Sequence, residues 1–444
     1  MTTSCRTHPV CTIYEHDVLV AEGGPLSKSA GSGEVPVPVF DWLQRQCLMQ
    51  SADNRPRWAR LGQRAGVLTV QVTNYVGVIR APSGFQIEVL PKVGRVHGQA
   101  DWARRLLVRM LACLGSFRHI KTARAELAAT RMPLQEIFVA EFLESVSSIV
   151  KRGLRGLYTT QQDNLPFLRG KLVFSEHLRR NLVRRDSFFS EHSDFTTNRP
   201  ENRLIHAALR QVIAQSVTHS NQQRALELRL VLSDVPVSTN VAADLRALQP
   251  ERNTAHYAEA LSWAELILTG RAPLTGAGGQ SATSMLFPME MLFEAYVAKH
   301  LSLAGDALLR LKVHPATHYL VEHEDERWFR LEPDLVVRRG ARNLAVLDAK
   351  WKLLNASSSA RKDRYNLSQG DFYQLHTYGQ TYLAGEGDVI LIYPKTETFH
   401  RPLKPFVFPH APGLRLWVVP FCLDNKMLIQ PEQEHSIPLF PPIF

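Results

Sequence analysis

The sequence predicts a multidomain α/β protein with a β-rich N-terminal domain, a mainly helical middle region and a C-terminal α/β domain. A chain of 444 residues is too long for one ordinary hydrophobic core, so two or three domains are expected. Apolar and polar residues alternate up to about residue 100, and apolar residues then recur at helical spacing. A segment at 270–284, rich in Gly, Ser and Thr, is predicted to be an interdomain linker.

Residues 1–100 are predicted to form a small barrel or sandwich. The stretch VLTVQVTNYVGVIRAPSGFQIEVLPKVG alternates β-branched and polar residues around a PSG turn, which is typical of a β-hairpin. CTIYEHDVLV is a further strand candidate. The Gly-, Ser- and Pro-rich stretch at 22–38 is predicted to be a loop.

Residues 101–269 are predicted to be mainly helical. DWARRLLVRMLACLGSF, MPLQEIFVAEFLESVSSIVKRGL and NRPENRLIHAALRQVIAQSV all repeat apolar residues at helical spacing. Between these helices lie four arginines, at 179, 180, 184 and 185. They suit a surface that follows a phosphate backbone, but a solvated helix face without a partner explains any single one of them at least as well.

Residues 285–444 are predicted to form an α/β domain. The order is a helix (FPMEMLFEAYVAKHLSL), several strands, a second helix (QGDFYQLHTYGQTYLA) and two further strands (DVILIYP and LRLWVVPFCL). Helices that flank a mixed sheet are the usual solution for such an order.

The composition indicates a globular protein without a membrane span. Hydrophobic residues make up 45% and charged residues 21%, and no window approaches 18 uninterrupted apolar residues. The five cysteines are scattered without a C-x-x-C pair, and the N-terminus lacks the apolar core of a signal peptide, so a cytoplasmic location is expected. The net charge of +10 favours a polyanionic partner.

Two predicted strands carry charges that a packed strand does not readily tolerate. RLEPDLVV is predicted as one strand, RRGARN as its turn and LAVLDAKWK as the next strand. Asp334 then lies some way down the first strand, while Asp348 and Lys350 project to the same side of the second. Two carboxylates and a lysine suit Mg²⁺-assisted phosphate chemistry. A surface ion pair, worth under about 1 kcal/mol, would explain neither the apolar run LAVL nor Asp334.

This Pro-Asp … Asp-x-Lys arrangement resembles the active site of the PD-(D/E)xK nuclease superfamily. The resemblance implies that Asp334 and Asp348 bind the metal and that Lys350 positions the nucleophile. Glu294 matches an acidic residue that many such nucleases carry on the preceding helix, as a further metal ligand. Gln374 and Tyr378 match a Q-x-x-x-Y motif on the following helix, where the spacing i, i+4 places both on one face.

The chain as a whole resembles the McrC family, the nuclease subunits of McrBC-type restriction systems. Besides the nuclease motif, the blocks NYVGVIRAPSGFQIEVLPKVG, VKRGLRGLYTTQQDNLPFLRGKL, FTTNRPENRLIHAAL and DFYQLHTYGQTYL follow the order of the family, from about residue 14 to about residue 394. The resemblance implies a restriction-endonuclease-like C-terminal domain. It also implies a Mg²⁺-dependent DNA endonuclease that acts on double-stranded DNA carrying modified cytosine.

The resemblance implies a partner, an McrB-type AAA+ GTPase hexamer that the N-terminal region docks into and stimulates. No G-x-x-x-x-G-K-[ST] phosphate loop occurs in the sequence, so GTP is expected to bind to the partner and not to this chain. Two alternatives stay open. One is a phage-defence nuclease that works with a different motor and does not read methylation; the other is a non-catalytic activator of a ring GTPase.

Overall fold

The computed structural model describes residues 10–23, 31–52, 58–96, 100–115, 132–183, 186–216, 218–248, 255–269, 285–301, 309–357 and 364–430. The predicted linker at 270–284 lies outside these ranges, as do Arg184, Arg185 and residues 24–30 of the predicted loop at 22–38. In the described part of that stretch the loop prediction is wrong, because Ser32–Val35 forms a strand and a helix begins at Val37.

The N-terminal part consists of two small sheets and their flanking helices. In chain order its elements are β1 (Val10–Tyr14), β2 (Val18–Ala21), β3 (Ser32–Val35), α1 (Val37–Ala52), β4 (Ala59–Arg64), β5 (Val67–Val72), β6 (Tyr75–Arg80), β7 (Gln86–Leu90), α2 (Val93–Val96) and α3 (Ala100–Leu111). One sheet has the order β3-β2-β5-β4. In the other sheet, β6 and β7 pair antiparallel around the PSG turn, which confirms the predicted hairpin. Apolar residues of both sheets and of α1 form one core, which includes Leu19, Leu43, Val70 and Ile87.

The middle part contains the predicted helices and also a sheet that the sequence analysis missed. Its elements are α4 (Leu134–Arg152), β8 (Leu157–Leu165), β9 (Lys171–Leu172), α5 (Phe174–Asn181), β10 (Phe188–Thr196), α6 (Pro200–Gln215), α7 (His219–Val231), α8 (Val241–Ala247) and α9 (Ala258–Thr269). The three-stranded sheet has the order β8-β10-β9. Most residues of β8 are exposed, so its sequence lacks the apolar alternation by which a half-buried strand is recognised.

The C-terminal part is built on a seven-stranded mixed sheet. Its elements are β11 (Met285–Pro288), α10 (Met289–His300), β12 (Leu309–Val313), β13 (His318–His323), β14 (Glu326–Leu331), β15 (Leu335–Arg339), β16 (Arg342–Ala349), α11 (Gln369–Leu383), β17 (Gly387–Pro394), β18 (Phe406–Phe408), β19 (Ala411–Cys422) and β20 (Met427–Leu428). The strand order is β12-β15-β16-β17-β19-β18, and β20 pairs with β19. Strands β16, β17 and β19 run parallel to one another.

Helices cover both faces of this sheet, as the sequence predicted. Leu335 and Leu347 belong to the same core as Phe293 of α10, whereas Val336 and Val346 pack with Leu375 of α11. Because side chains alternate along a strand, α10 and α11 lie on opposite faces.

The predicted strand RLEPDLVV is wrong, because the chain breaks there into two strands. β14 ends at Leu331 and belongs to a separate two-stranded hairpin with β13, while β15 begins at Leu335. Pro333 lies between them and has no N–H to donate to a ladder. Asp334 therefore lies immediately before β15 and not within a strand, and Lys350 lies just beyond the end of β16.

The strand before α10 joins the N-terminal sheet. β11 pairs antiparallel with β6, with Met285 opposite Val78 and Leu286 opposite Gly77. Gly77 has a φ of 130°, and a Cβ atom there would lie 2.0 Å from the carbonyl oxygen of Met285, so only glycine fits. The C-terminal part is thus anchored to the N-terminal part through main-chain pairing; the predicted domain boundaries stay a prediction.

Candidate active site

The charged residues lie at one end of three neighbouring strands of the large sheet, β12, β15 and β16. Leu335, the first residue of β15, lies opposite Val313 of β12 and opposite Leu347 of β16. Continuing this register by one residue places Asp334 opposite Asp348. Directly opposed residues are close neighbours in a sheet, so the two carboxylates come together despite the break at Pro333.

Asp348 and Lys350 form a close ion pair, which confirms that they project to the same side. Asp348 is 1% exposed, and its Oδ2 lies 2.7 Å from Nζ of Lys350. The main-chain N–H of Lys350 donates to the carbonyl of Ile392 in β17 at 2.8 Å, which fixes the backbone. Burial raises the pKa of Asp348, and Lys350 opposes that rise. Burial alone would lower the pKa of Lys350, but the charge of Asp348, its hydrogen bond and the charges of Asp334 and Asp371 together outweigh burial and raise that pKa, so Lys350 is an ammonium at neutral pH.

Asp334 is held by the main chain of the neighbouring strand. Its Oδ2 accepts a hydrogen bond from the N–H of Ala349 at 2.7 Å. Burial, and then the charges of Asp348 and Glu294, raise the pKa of Asp334 to about 8. Like charges crowded into a poorly solvated space cannot all ionise freely, so this carboxyl holds a proton unless a cation compensates.

Glu294 reaches the same edge from helix α10. Its Oε1 lies 2.7 Å from Nε2 of His314, the residue that follows β12. Burial and then the charge of Asp348 raise the pKa of Glu294 to about 7, while Lys350 acts in the opposite direction. The ligand atoms of Glu294, His314 and Asp334 all lie within 4.8 Å of one another.

Gln374 and Tyr378 lie on one face of α11, as predicted, and join the site through a chain of hydrogen bonds. Nζ of Lys350 donates to Oε1 of Gln374 at 3.3 Å, and Nε2 of Gln374 donates to the hydroxyl of Tyr378 at 2.9 Å. That hydroxyl donates to the carbonyl of Glu332 at 3.2 Å. Tyr378 is 5% exposed, and burial raises its pKa. It therefore orients Gln374 and does not itself face the solvent.

Two residues near the site were missed by the sequence analysis. His314 had no distinguishing signal, because its contact with Glu294 exists only in the folded chain. Asp371 lies one helical turn before Gln374, a spacing that could have marked it. Its charge acts on both Asp348 and Lys350, and it accepts a hydrogen bond from Tyr393 at 3.2 Å.

A second cluster ties the loop after β16 to the N-terminal part. The indole N–H of Trp351 donates to Oε1 of Glu15, which also accepts the main-chain N–H of Lys92 at 3.0 Å. Nζ of Lys92 donates to the carbonyl of Trp351 at 3.0 Å. Trp351 directly follows Lys350, so the N-terminal part holds the segment that carries the lysine.

The residues present fit a divalent cation. Oε1 of Glu294 and Oδ2 of Asp348 are buried, and within the described part of the chain neither has a hydrogen bond of normal geometry, although each has an ionic contact. Carboxylate oxygens are the ligands that hard cations prefer. Of the three predicted ligands, Glu294 and Asp334 lie together with His314, while the carboxylate of Asp348 faces Lys350.

The candidate site is partly accessible to solvent, since the side chain of Lys350 is 29% exposed and that of His314 is 58% exposed. A cavity of about 420 Å³ lies elsewhere, beyond the ends of β17 and β19; its lining includes Trp102, Lys395 and Asp424 and none of the six predicted site residues.

Two of three comparisons relate the chain to known proteins. A family model described as "McrBC 5-methylcytosine restriction system component" matches residues 70–394, which include all six predicted site residues. Among solved structures, the chain is similar to a chain of the refined half-complex from the tetradecameric assembly of Thermococcus gammatolerans McrB AAA+ hexamers with bound McrC. The sequence identity is 18%, the match covers 94% of this chain and 98% of that chain, and the TM-score is 0.64.

A second similar structure is the Thermococcus gammatolerans McrBC complex, with 19% identity, 65% of this chain and 86% of that chain covered, and a TM-score of 0.49. A comparison with curated proteins finds no match.

Within the described residues, no helix is long and apolar enough to cross a membrane.

Proposed function

The chain belongs to the family of McrBC 5-methylcytosine restriction system components, and from this premise we propose that it is the nuclease subunit of such a system. The proposed activity is that of a Mg²⁺-dependent endodeoxyribonuclease that hydrolyses phosphodiesters of double-stranded DNA carrying modified cytosine. The observation that carries the proposal is the meeting of Glu294, Asp334, Asp348 and Lys350 at the ends of neighbouring strands of the large sheet.

The raised carboxyl pKa values support a cation site. Burial and mutual repulsion raise the pKa of Asp334 to about 8 and that of Glu294 to about 7. An arrangement so unfavourable for bare carboxylates is expected where a cation offsets their charge, and perturbed pKa values cluster at functional sites. Glu294 and Asp334 would hold the ion, and Asp348 would complete the set.

Each residue has a distinct part in the proposed hydrolysis. A bound divalent ion lowers the pKa of a water molecule and offsets the charge that develops on the phosphate. Lys350, an ammonium held by Asp348 and Gln374, is placed to donate to the developing negative charge. Gln374 keeps that ammonium at the edge, and Tyr378 fixes the orientation of Gln374.

We propose an McrB-type AAA+ GTPase hexamer as the partner, which would bind the GTP. The similar Thermococcus gammatolerans structure contains McrB AAA+ hexamers with bound McrC, according to its description. The resemblance places docking in the N-terminal region.

The described residues add a second candidate surface, the exposed patch, which consists of large apolar side chains on or near β8, β10 and α5: Tyr158, Phe167, Leu168, Phe174, Leu178, Leu182, Val183 and Phe195. Tyr158 and Phe195 are in ring contact, and exposed apolar surface of this kind marks protein interfaces.

Substitutions on each surface separate the two docking candidates. Phe174→Asp and Leu178→Asp change the exposed patch, and Leu48→Asp changes α1 in the N-terminal part; all three side chains are more than half exposed. Co-purification with the ring GTPase encoded nearby measures binding. Loss with the first two variants assigns docking to the exposed patch, and loss with Leu48→Asp assigns it to the N-terminal part.

Plasmid cleavage tests the nuclease proposal. Methylated and unmethylated plasmids are incubated with the chain, Mg²⁺, GTP and the partner GTPase, and Lys350→Ala and Asp348→Ala run beside the wild type. Arg342→Ala is the control, because Arg342 is an exposed cation at the far end of the same strand. We expect both site variants to cut at least about a hundredfold more slowly and the control to cut normally. Cutting without methylation dependence would indicate a different motor, and GTP turnover without any cutting would indicate a non-catalytic activator.

A further inference from the structure

We propose that His314 is a ligand of the divalent cation, and that it makes the site prefer a transition ion such as Mn²⁺ over Mg²⁺. This inference rests on the proposed function and deepens it, because it concerns which metal the site binds. His314 is placed by its strand: its main-chain N–H donates to the carbonyl of Asp334 at 2.9 Å, so it continues the β12–β15 ladder by one residue.

The sheet register therefore puts three metal-binding side chains in one row. His314, Asp334 and Asp348 occupy successive positions across β12, β15 and β16, at the edge where Glu294 arrives from α10. The nitrogen of His314 and oxygens of Glu294 and Asp334 lie within 4.8 Å of one another. Two ligands of one ion at about 2.1 Å are separated by roughly 3 to 4 Å, so this spread suits a single coordination sphere.

The individual groups are available for such a role. Nε2 of His314 lies 2.7 Å from Oε1 of Glu294, an oxygen that is buried and has no hydrogen bond of normal geometry within the described residues. The His314 side chain is 58% exposed, so a hydrated ion can reach it. A small movement of the two side chains would admit an ion between Nε2 of His314 and Oε1 of Glu294. The ionic contact between these atoms would then be replaced by two metal–ligand bonds.

The imidazole nitrogen of His314 determines which metal ion the site prefers. Mg²⁺ is a hard ion that binds oxygen ligands and keeps several waters, whereas an imidazole nitrogen favours divalent transition ions. A site with carboxylates alone would show little preference for Mn²⁺. A site with His314 as a ligand is expected to bind Mn²⁺ at least about tenfold more tightly than Mg²⁺.

The competing explanation is that His314 only neutralises Glu294, and it predicts the opposite effect of a substitution. If the imidazole is a ligand, its removal weakens Mn²⁺ binding. If it is only an ion-pair partner, its removal frees the carboxylate of Glu294, and Mn²⁺ binding stays the same or becomes tighter.

The test measures Mn²⁺ and Mg²⁺ binding to the purified full chain by isothermal titration calorimetry and by the electron paramagnetic resonance of free Mn²⁺, without DNA, GTP or partner. His314 has a φ of 44°, so His314→Gly and His314→Asn are the variants that its backbone tolerates. His323→Ala, which removes another exposed imidazole on β13, is the matched control.

We expect both His314 variants to lose at least about tenfold in Mn²⁺ affinity, with less than about a threefold change for Mg²⁺, and the control to behave as wild type. Unchanged or tighter Mn²⁺ binding by the His314 variants overturns the inference. Plasmid cleavage is measured separately: His314-dependent Mn²⁺ binding without cleavage contradicts the proposed function only, and cleavage with His314-independent binding contradicts this inference only.

Discussion

The carboxyl groups of Glu294, Asp334 and Asp348 lie close together where little water reaches them. The ammonium of Lys350 supplies the positive charge beside them. Asp348 pairs with Lys350 at 2.7 Å, while Asp334 and Glu294 have raised pKa values. At the residue scale the site is therefore strained when it holds no cation. Such strain is tolerated because the strand ends and α10 fix the positions of the carboxyls, and it is what a cation would relieve.

The raised pKa values predict how stability depends on pH when no divalent cation is present. The ordinary pKa values of Asp334 and Glu294 are 3.8 and 4.5, and in the folded protein they rise to about 8 and about 7. As pH rises through this window the unfolded chain loses protons that the folded chain keeps, so the free energy of unfolding falls. Asp334→Asn removes one of the two carboxyl groups, so the free energy of unfolding of this variant falls less as pH rises. We expect it to melt higher than the wild type at pH 8 in EDTA, with a smaller difference at pH 5, as measured by thermal denaturation.

Added Mg²⁺ should reverse the difference, because it binds the ionised carboxylates of the wild type and raises the melting temperature more at pH 8 than at pH 5. A wild type whose melting temperature in EDTA is no lower than that of Asp334→Asn at pH 8 would show that these carboxyls are not crowded as described.

Tyr378→Phe tests the hydrogen-bond chain behind Lys350. The substitution removes the hydroxyl that links Gln374 to the carbonyl of Glu332 and leaves both without that partner. We expect a loss of about 1–3 kcal/mol in the free energy of unfolding and about a tenfold lower kcat with KM for DNA unchanged. Tyr373→Phe on the exposed side of α11 is the control. An unchanged kcat for Tyr378→Phe would mean that Gln374 does not need this support.

The part of the site that could be predicted from the sequence is the part that local spacing determines. Asp348 and Lys350 are two residues apart next to a strand end, and Gln374 and Tyr378 are one helical turn apart, so alternation and helical periodicity place each pair. His314 meets Glu294 through the packing of α10 against the sheet, which no local pattern encodes. The contact between Glu15 and Trp351 joins residues 336 positions apart.

At the element scale, the N-terminal part supports the active-site segment directly. β11 pairs with β6 immediately before α10, and Glu15 and Lys92 hold Trp351 immediately after Lys350. Helix α10, which carries Glu294, and the segment that carries Lys350 are thus both held by the N-terminal part. The three-stranded sheet of the middle part is different: its strand β8 is largely exposed, so its sequence lacks the apolar alternation that reveals a half-buried strand.

Trp351→Phe tests the connection between the two parts. Phenylalanine keeps the ring that packs against Phe293, with ring centroids 5.2 Å apart, but removes the N–H that Glu15 accepts. Glu15 is 1% exposed, so the loss of a donor should cost about 1–3 kcal/mol in chemical denaturation. Trp328→Phe, at an exposed position of β14, should cost much less. Equal stabilities of the two variants would contradict the role of Glu15.

At the scale of the whole molecule, the fold supports a division of labour. The chain has the overall fold of a chain from the Thermococcus gammatolerans assembly of McrB hexamers with bound McrC, and it belongs to the McrBC component family. Its sequence has no phosphate loop, and its candidate active site lies at strand ends where acidic groups and a lysine converge. In the account proposed above, the partner consumes GTP and this chain cuts DNA.

The most direct test measures GTP hydrolysis and DNA cleavage in the same reaction, with partner GTPase, Mg²⁺ and methylated plasmid, for the wild type and for Asp348→Asn. Asp348 is 1% exposed and so cannot itself form part of an exposed docking surface, and the account predicts normal stimulation of GTP hydrolysis and a loss of cleavage of at least about a hundredfold. Cleavage by Asp348→Asn at the rate of the wild type, with equal GTP turnover, would contradict the account, because the edge at Asp348 would then not be the active site.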